Sequence, residues 1–179
     1  MARQAVSQVE SSPEATADSA VTAFVREVVL PCGPGAQPRL DPSACRFRVR
    51  FGQSPVHRWG VFAAELIPAR RRVIEYTGQR IGLREAYRRR VRPNLYLFRT
   101  GPRYYLDGAI GGSGAEYINH GCEPNIIARV RNGRVMFVSL RRIESGEELL
   151  VDYRVMGDVP LLPCKCRAPT CRGYLNLPG

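Results

Sequence analysis

Three cysteines near the C-terminus constrain the fold of this chain more than any other feature of its sequence. Cys164, Cys166 and Cys171 lie within eight residues, in the spacing C-x-C-x4-C. Thiolates this close repel one another unless a soft cation such as Zn²⁺ compensates their charge, and tetrahedral zinc requires four ligands. The other cysteines of the chain are Cys32, Cys45 and Cys122. One of them has to supply the fourth ligand, so the tail has to fold back onto the rest of the chain. Disulfide pairing is the alternative interpretation.

The length of the chain and its N-terminus indicate the compartment. The 179 residues fit one domain with small appendages. No run approaches the roughly 18 apolar residues of a membrane-spanning helix. The N-terminus MARQAVSQVE has no apolar signal region. We therefore expect an intracellular protein, nuclear or chromosomal if the organism is eukaryotic and cytoplasmic if it is bacterial. In these compartments cysteines are more often metal ligands or free thiols than disulfides.

The charge of the chain is strongly positive. There are 27 Lys and Arg against 16 Asp and Glu, which gives +11, and Lys165 is the only lysine. A genome that favours arginine codons explains this composition, and so does a surface that attracts nucleic acid or another polyanion. No basic, aromatic-studded motif of a nucleic-acid module is present, so we expect any such contact to be non-specific.

The composition changes along the chain and divides it into four segments. Residues 1–20 are polar and lack aromatics, which predicts a mobile tail. Residues 21–45 form a flanking segment that ends in a loop rich in proline and glycine. Residues 46–159 consist of short apolar runs separated by turns, and residues 160–179 are irregular and cysteine-rich.

The pattern of residues 46–159 predicts a mostly-β domain with few short helices. The strand-like runs include RFRVRF, GVFAAEL, RVIEYTGQRI, NLYLFR and RYYLDG. One amphipathic helix is predicted at residues 83–91 and ends before Pro93. Residues 125–140 predict a β-hairpin whose Asn132-Gly133 pair forms a type I′ turn.

The segment YINHGCEPN, residues 117–125, concentrates polar side chains in a stretch that contains glycine and proline. Asn119, His120, Cys122 and Asn125 lie within seven residues. Amide and imidazole groups in loops orient polar ligands in binding sites. A capped turn is the alternative interpretation of the Asn-His pair.

Two further segments carry candidate site residues. GEELLVDY, residues 146–153, alternates between two faces and ends in Tyr153, which by itself favours packing over catalysis. In HRWG, residues 57–60, Gly60 allows a close backbone approach of the kind that a nucleotide-binding loop requires.

Together and in this order, these segments resemble the SET-domain protein lysine methyltransferases that carry a post-SET zinc-binding tail. The glycine motif of that family is similar to residues 57–60, and its Glu-Tyr-x-Gly strand to residues 75–78. Its Asn-His-x-Cys-x-Pro-Asn signature is complete at residues 119–125, and its Gly-Glu-Glu-Leu…Asp-Tyr signature at residues 146–153. The resemblance covers residues 46–179.

The resemblance implies a β-clip fold in which the Asn-His segment passes beneath the Asp-Tyr segment as a pseudoknot. It also implies S-adenosylmethionine as methyl donor and Tyr153 as the catalytic residue. The residues assigned to the cofactor are His57, Arg58, Trp59, Gly60, Tyr96, Asn119 and His120. At one position the chain departs from the family, because Glu116 replaces an arginine.

The resemblance further implies one structural Zn²⁺ held by Cys122, Cys164, Cys166 and Cys171, which ties the tail over the site. The expected activity is methyl transfer to a lysine ε-amine of a protein, and a histone or another basic DNA-associated protein is the candidate substrate. Two alternatives remain: a SET-like binding module that has lost catalysis and holds nucleic acid, and a zinc-stabilised structural protein.

Overall fold

The computed structural model describes residues 38–90, 96–155 and 160–177. The tail predicted for residues 1–20, most of the flanking segment 21–45 and Cys32 lie outside the described residues. The last residues of the flanking segment pack on the domain. Leu40 contacts the hydrophobic core, and a β-bridge joins Cys45 to Ile74.

The described part of the chain contains one α-helix and ten short β-strands. The strands are β1 (Val49–Gln53), β2 (Trp59–Ala63), β3 (Arg72–Tyr76), β4 (Gln79–Gly82), β5 (Leu97–Arg99), β6 (Tyr104–Asp107), β7 (Asn119–His120), β8 (Ile126–Arg131), β9 (Arg134–Ser139) and β10 (Leu150–Val151). The helix α1 spans Leu83–Arg89. The expectation of a mostly-β fold with few helices is confirmed.

The strands form three sheets. β1 and β2 make an antiparallel pair, and β4, β6 and β5 make a three-stranded antiparallel sheet. The third sheet has five strands in the order β3-β9-β8-β10-β7. In the β8–β9 hairpin, Asn132 and Gly133 have φ values of 51° and 74°. Both values lie in the left-handed region that a type I′ turn requires, so this turn prediction is confirmed.

The short strand β10 has a parallel neighbour on each side. Leu150 pairs with Asn119 of β7, and Val151 pairs with His120 of β7 and with Ile126 of β8. The chain between β7 and β8 therefore crosses β10 from one edge to the other. The crossing is fixed by hydrogen bonds at both ends, and it is the arrangement that the expected pseudoknot requires.

The main core lies between the five-stranded sheet and the β1–β2 pair. Burial alternates along β9, where Val135 and Phe137 point inward, as expected for a sheet with one covered face. Ile67, Ile74 and Leu149 are fully buried. Burying each such side chain contributes about 1.5–3 kcal/mol. Within the described ranges, no helix is long and apolar enough to span a membrane.

The helix α1 is shorter than predicted and only partly amphipathic. It ends at Arg89, and Val91 lies outside the described residues. Ala86 packs in a small second core, whereas Leu83 and Tyr87 of the predicted apolar face are 38% and 56% exposed. The helix therefore presents one of its faces to solvent.

Candidate cofactor and metal site

Asn119 joins the Asn-His segment to the glycine motif. Its buried side chain lies at the start of β7, and its Nδ2 group donates to the carbonyl oxygen of Trp59 at 3.0 Å. The same group lies 3.4 Å from the carbonyl oxygen of His57 and 2.8 Å from Oε1 of Glu148. Two motifs that are sixty residues apart in sequence are thus held together by one amide group.

Glu148 explains why residue 60 is a glycine. A Cβ atom at Gly60 would collide with the Glu148 carboxylate. The close contact that the glycine allows is therefore between its backbone and the Glu148 side chain. The other oxygen of Glu148 accepts a hydrogen bond from the Ser54 hydroxyl at 3.0 Å. Glu148 therefore connects the glycine motif to Asn119. Its place in the Gly-Glu-Glu-Leu signature was the only sequence signal for this role.

The ring of His120 is bound at both nitrogens. Nδ1 accepts a hydrogen bond from the backbone N–H of Tyr153 at 3.1 Å, which places the ring proton on Nε2. Nε2 lies 3.3 Å from Sγ of Cys122. Burial lowers the pKa of His120. A cofactor contact through either ring nitrogen would have to replace one of these partners.

Tyr153 is partly exposed, and its hydroxyl is held by a hydrogen bond. The hydroxyl donates to the carbonyl oxygen of Ile118 at 2.8 Å, while 45% of the residue remains accessible to solvent. Its ring meets the His120 ring edge-on, with centroids 5.4 Å apart. Burial raises the pKa of Tyr153, and the neighbouring Tyr96 raises it further. The hydroxyl therefore stays protonated at neutral pH.

Two more tyrosines line the same region. The rings of Tyr96 and Tyr117 lie 5.6 Å apart, and Phe51 packs edge-on against Tyr117 at 5.3 Å. The hydroxyl of Tyr76 donates to the carbonyl oxygen of Tyr96 at 2.5 Å and fixes the start of β5. Tyr76 and Phe51 thus support this aromatic group. Neither of them was among the site residues predicted from the sequence.

Glu116, which stands where the family has an arginine, lies partly buried next to these tyrosines. Its carboxylate accepts a hydrogen bond from the backbone N–H of Gly114 at 2.8 Å. Burial raises the pKa of Glu116 from an ordinary 4.5 to about 7. In place of the positively charged arginine of the family, this chain therefore has a carboxyl group that is partly protonated at neutral pH.

The four cysteines expected to bind zinc meet beside His120. The sulfur of Cys122 lies 3.8 Å from the sulfurs of Cys164 and Cys171, and the backbone N–H of Cys122 donates to the sulfur of Cys166. In a tetrahedral zinc site with Zn–S bonds of about 2.3 Å, neighbouring sulfurs are about 3.8 Å apart. The sulfur geometry therefore fits one Zn²⁺.

The ligand atoms of Cys122, Cys164, Cys166 and His120 all lie within 4.8 Å of one another, so His120 borders the metal position. None of the five cysteines in the described ranges forms a disulfide. Cys45 lies apart from the cluster, on the flank of the hydrophobic core.

The C-terminal tail is attached to the site by an ion pair as well. Arg172 donates to both carboxylate oxygens of Asp152, at 2.7 and 3.0 Å, and to the carbonyl oxygens of Leu175 and Asn176. Because Asp152 directly precedes Tyr153, this network links the tail to the strand end that carries the tyrosine. The sequence alone gave no signal for Arg172.

The fold and the site define a β protein in which crossing strands carry a polar and aromatic site and a thiolate-rich tail closes on it. The SET domain family matches residues 58–154. The chain belongs to this family.

Curated relatives support the assignment. Over 141 residues the chain is 38% identical to the histone-lysine N-methyltransferase, H3 lysine-4 specific, of Saccharomyces cerevisiae, and over 139 residues it is 40% identical to that of Schizosaccharomyces pombe. The alignments cover 72% of this chain but only 13% and 15% of those two proteins. This chain thus corresponds to a small part of each relative.

A solved structure agrees with this comparison. A humanized mutant of the Chaetomium thermophilum Polycomb Repressive Complex 2, bound to an inhibitor, is similar with a TM-score of 0.55 and 36% identity. The match covers 60% of this chain and 15% of that one.

Proposed function

We propose that this chain is an S-adenosylmethionine-dependent protein-lysine N-methyltransferase. The observation that carries the proposal is the environment of Tyr153, whose hydroxyl donates to the carbonyl oxygen of Ile118 while the residue as a whole remains partly accessible to solvent. Tyr96 and Tyr117 form an aromatic pair in the same region. Removal of water from a lysine amine beside these rings disfavours its charged form. Membership of the SET domain family supports the same activity.

The residues proposed to hold the cofactor surround the contact between Asn119 and the glycine motif. S-adenosylmethionine supplies the methyl group as an electrophilic sulfonium. Within the described ranges the Nδ2 group of Asn119 is engaged and its Oδ1 atom has no partner, so Oδ1 can accept from the amino group of a ligand. The remaining groups proposed to bind the cofactor are the backbone of residues 57–60, the ring of Tyr96 and His120.

Tyr153 is proposed to orient the substrate amine and not to act as a base. A free lysine has a pKa of about 10.4 and has to lose its proton before it can attack. Because the pKa of Tyr153 is raised, its hydroxyl stays protonated and interacts with the neutral amine by hydrogen bonding. The proton of the amine leaves to solvent before transfer, so no strong general base is required.

One structural Zn²⁺ is proposed at Cys122, Cys164, Cys166 and Cys171. Four thiolates close the coordination shell, so the metal would stabilise the tail and take no part in the reaction. The N–H group of His120 would then donate to the Cys122 thiolate, an outer contact that orients a metal ligand.

The proposed substrate is a histone or another basic DNA-associated protein. Relatives whose names specify lysine 4 of histone H3 make the H3 tail the first substrate to test. Those relatives are eukaryotic, which favours the nucleus or chromosomes as the compartment. The net charge of +11 supports an additional, non-specific contact with nucleic acid or a nucleosome.

The decisive experiment is incubation with labelled S-adenosylmethionine, a panel of histones and a cell extract, followed by mass spectrometry. We expect methylated lysine on a protein substrate and none with Tyr153→Phe in the same period. Binding of S-adenosylmethionine without transfer to any substrate, together with salt-dependent DNA binding, would instead identify the non-catalytic binding module.

A further inference from the structure

The exposed face of α1 carries three arginines, of which Arg84 and Arg90 have no ion pair among the described residues. Arg84, Tyr87 and Arg88 follow one another at positions i, i+3 and i+4 and so share one face of the helix. Arg90 is the first residue after the helix, and its guanidinium lies 4.3 Å from the centre of the Tyr87 ring. The side chain of Arg88 is 82% exposed. The face therefore combines three cations with one aromatic surface.

The acids close to α1 are held by a different arginine. Arg89 points inward and donates to Glu85 at 2.7 Å and to the buried Asp107 at 2.6 Å. Glu85 also lies 3.8 Å from Arg88, a distance at which an exposed pair contributes little. Within the described ranges, Arg84 and Arg90 have no ion pair.

Elsewhere on the surface many arginines are paired with acids. The pairs are Arg48–Glu65, Arg134–Glu75, Arg141–Glu147 and Arg142–Glu144. Other exposed arginines, such as Arg72, Arg129 and Arg131, also have no ion pair among the described residues. The face of α1 differs from them because three arginines lie together there beside an exposed aromatic ring.

We propose that the exposed face of α1, formed by Arg84, Tyr87, Arg88 and Arg90, binds the phosphate backbone of duplex nucleic acid. The inference gives a position to the nucleic-acid contact proposed above and rests on it, but it does not depend on methyl transfer.

The chemistry of this face favours phosphate. Guanidinium groups form paired hydrogen bonds with phosphate oxygens, and arginine is more weakly hydrated than lysine, so less hydration is lost on binding. Arg84 and Arg88 are separated by about 6 Å of helix rise, so their guanidinium groups can contact separate phosphates. The ring of Tyr87, 56% exposed, offers an adjacent flat surface for sugar or base. A flexible acidic peptide has no comparable fixed spacing.

The test compares two variants of the full chain that lose the same charge. One carries Arg84→Gln, Arg88→Gln and Arg90→Gln. The control carries Arg72→Gln, Arg129→Gln and Arg131→Gln, three exposed strand residues of the five-stranded sheet that have no ion pair among the described residues. Fluorescence anisotropy with a labelled DNA duplex, repeated over a salt series, gives the affinity and its salt dependence for each protein.

We expect the α1 variant to bind at least about tenfold more weakly and its salt slope to fall by about 2 to 3, since each lost phosphate contact removes about 0.9 from the slope. The control should stay close to the unmodified chain. Equal losses in both variants would show that only net charge matters and would overturn the proposal.

Two further outcomes also overturn it: no binding of the unmodified chain to duplex DNA at low salt, and equally tight, α1-dependent binding of polyglutamate, which would identify an acidic protein as the partner. Methylation of a free histone peptide, measured in parallel, should be the same for all three proteins. Loss of methylation in every sample would contradict the proposed enzyme without bearing on DNA binding.

Discussion

Among single residues, His120 connects two parts of the site through its two ring nitrogens. Its Nδ1 holds the backbone of Tyr153 and its Nε2 faces the sulfur of Cys122. The ring thus lies between the proposed catalytic residue and the proposed metal position. Asn119, its neighbour in β7, performs the same linking function toward the glycine motif. The two adjacent residues therefore face two different parts of the site.

Replacing Tyr153 by Phe removes a hydroxyl but keeps the ring that packs on His120. We expect binding of S-adenosylmethionine, measured by calorimetry, to be unchanged and the methylation rate to fall on the order of 10²-fold or more. Tyr104→Phe, at an exposed ring stacked under Arg80, is the matched control and should react normally. A Tyr153→Phe enzyme with normal turnover would show that another group orients the amine.

Asn119→Ala is expected to weaken binding of S-adenosylmethionine, whereas Tyr153→Phe is expected to slow the reaction. The substitution leaves the Trp59 carbonyl and the Glu148 carboxylate without their shared donor, which costs about 1–3 kcal/mol of folding free energy. It also loosens the glycine motif, so the dissociation constant for S-adenosylmethionine should rise. An unchanged dissociation constant in calorimetry would contradict the proposed role of Asn119.

Glu116 should make the stability of the domain depend on pH. Burial raises the pKa of Glu116 from 4.5 to about 7, so the folded state binds this proton more tightly than the unfolded state. The free energy of unfolding should therefore fall as pH rises from about 4.5 to about 7, by up to about 3 kcal/mol, and stay lower above that range.

Glu116→Gln should consequently be more stable than the unmodified chain near pH 8 and similar to it near pH 4.5, as measured by urea denaturation. Glu123→Gln is the control with the opposite sign. Hydrogen bonds from Thr170 lower the pKa of Glu123, so its contribution is lost on acidification. A stability difference for Glu116→Gln that does not vary with pH would contradict the assignment.

At the scale of elements, the C-terminal tail is held to the domain by few groups. Of the two β-bridges in the described tail, Val155 with Asn176 joins it to the domain, whereas Pro163 with Tyr174 is internal to the tail. Further attachment comes from the thiolate cluster, the ion pair of Arg172 with Asp152 and hydrogen bonds from Thr170 to Glu123. Because regular strand pairing is so limited, we infer that the order of this tail depends on the metal.

Freshly purified protein should contain one zinc per chain. Removing the metal with a chelator, or substituting Cys171→Ser, should loosen residues 160–177 and abolish turnover, because metal-binding energy is folding energy for such a tail. Metal analysis and hydrogen exchange of the tail measure the two effects separately. Cys45→Ser, on the flank of the core, should retain the metal. Absence of zinc from the fresh protein would contradict the proposal.

For the whole molecule, the composition sets a limit on self-modification. The chain contains one lysine, Lys165, which lies between the proposed ligands Cys164 and Cys166. Binding of both flanking cysteines to one metal would fix the backbone of Lys165, so its side chain should not reach Tyr153 of the same molecule. We expect negligible lysine automethylation in intact-protein mass spectra. A methylated Lys165 would show that the tail leaves the cluster or that one molecule modifies another.

Local sequence patterns determined the elements and the residue types of the site. Alternation predicted strands in most of the places where they occur, and the Asn132-Gly133 pair predicted its turn because left-handed φ values favour these residues. The motifs at residues 119–125 and 146–153 indicated the family because their order and spacing are specific. Cysteine spacing predicted a metal cluster but left its fourth ligand open.

Tertiary structure decided which of these parts meet. The Ser54 hydroxyl and the Glu148 carboxylate are 94 positions apart, and no local periodicity encodes their contact. The insertion of β10 between β7 and β8 likewise depends on non-local pairing, and it brings Cys122 to the tail while Cys45 stays at the core. Strand and turn propensities act over a few residues, whereas chain crossing and core packing depend on contacts between distant segments. For this reason local sequence patterns identified the residue types of the candidate site but did not encode the contacts that assemble it.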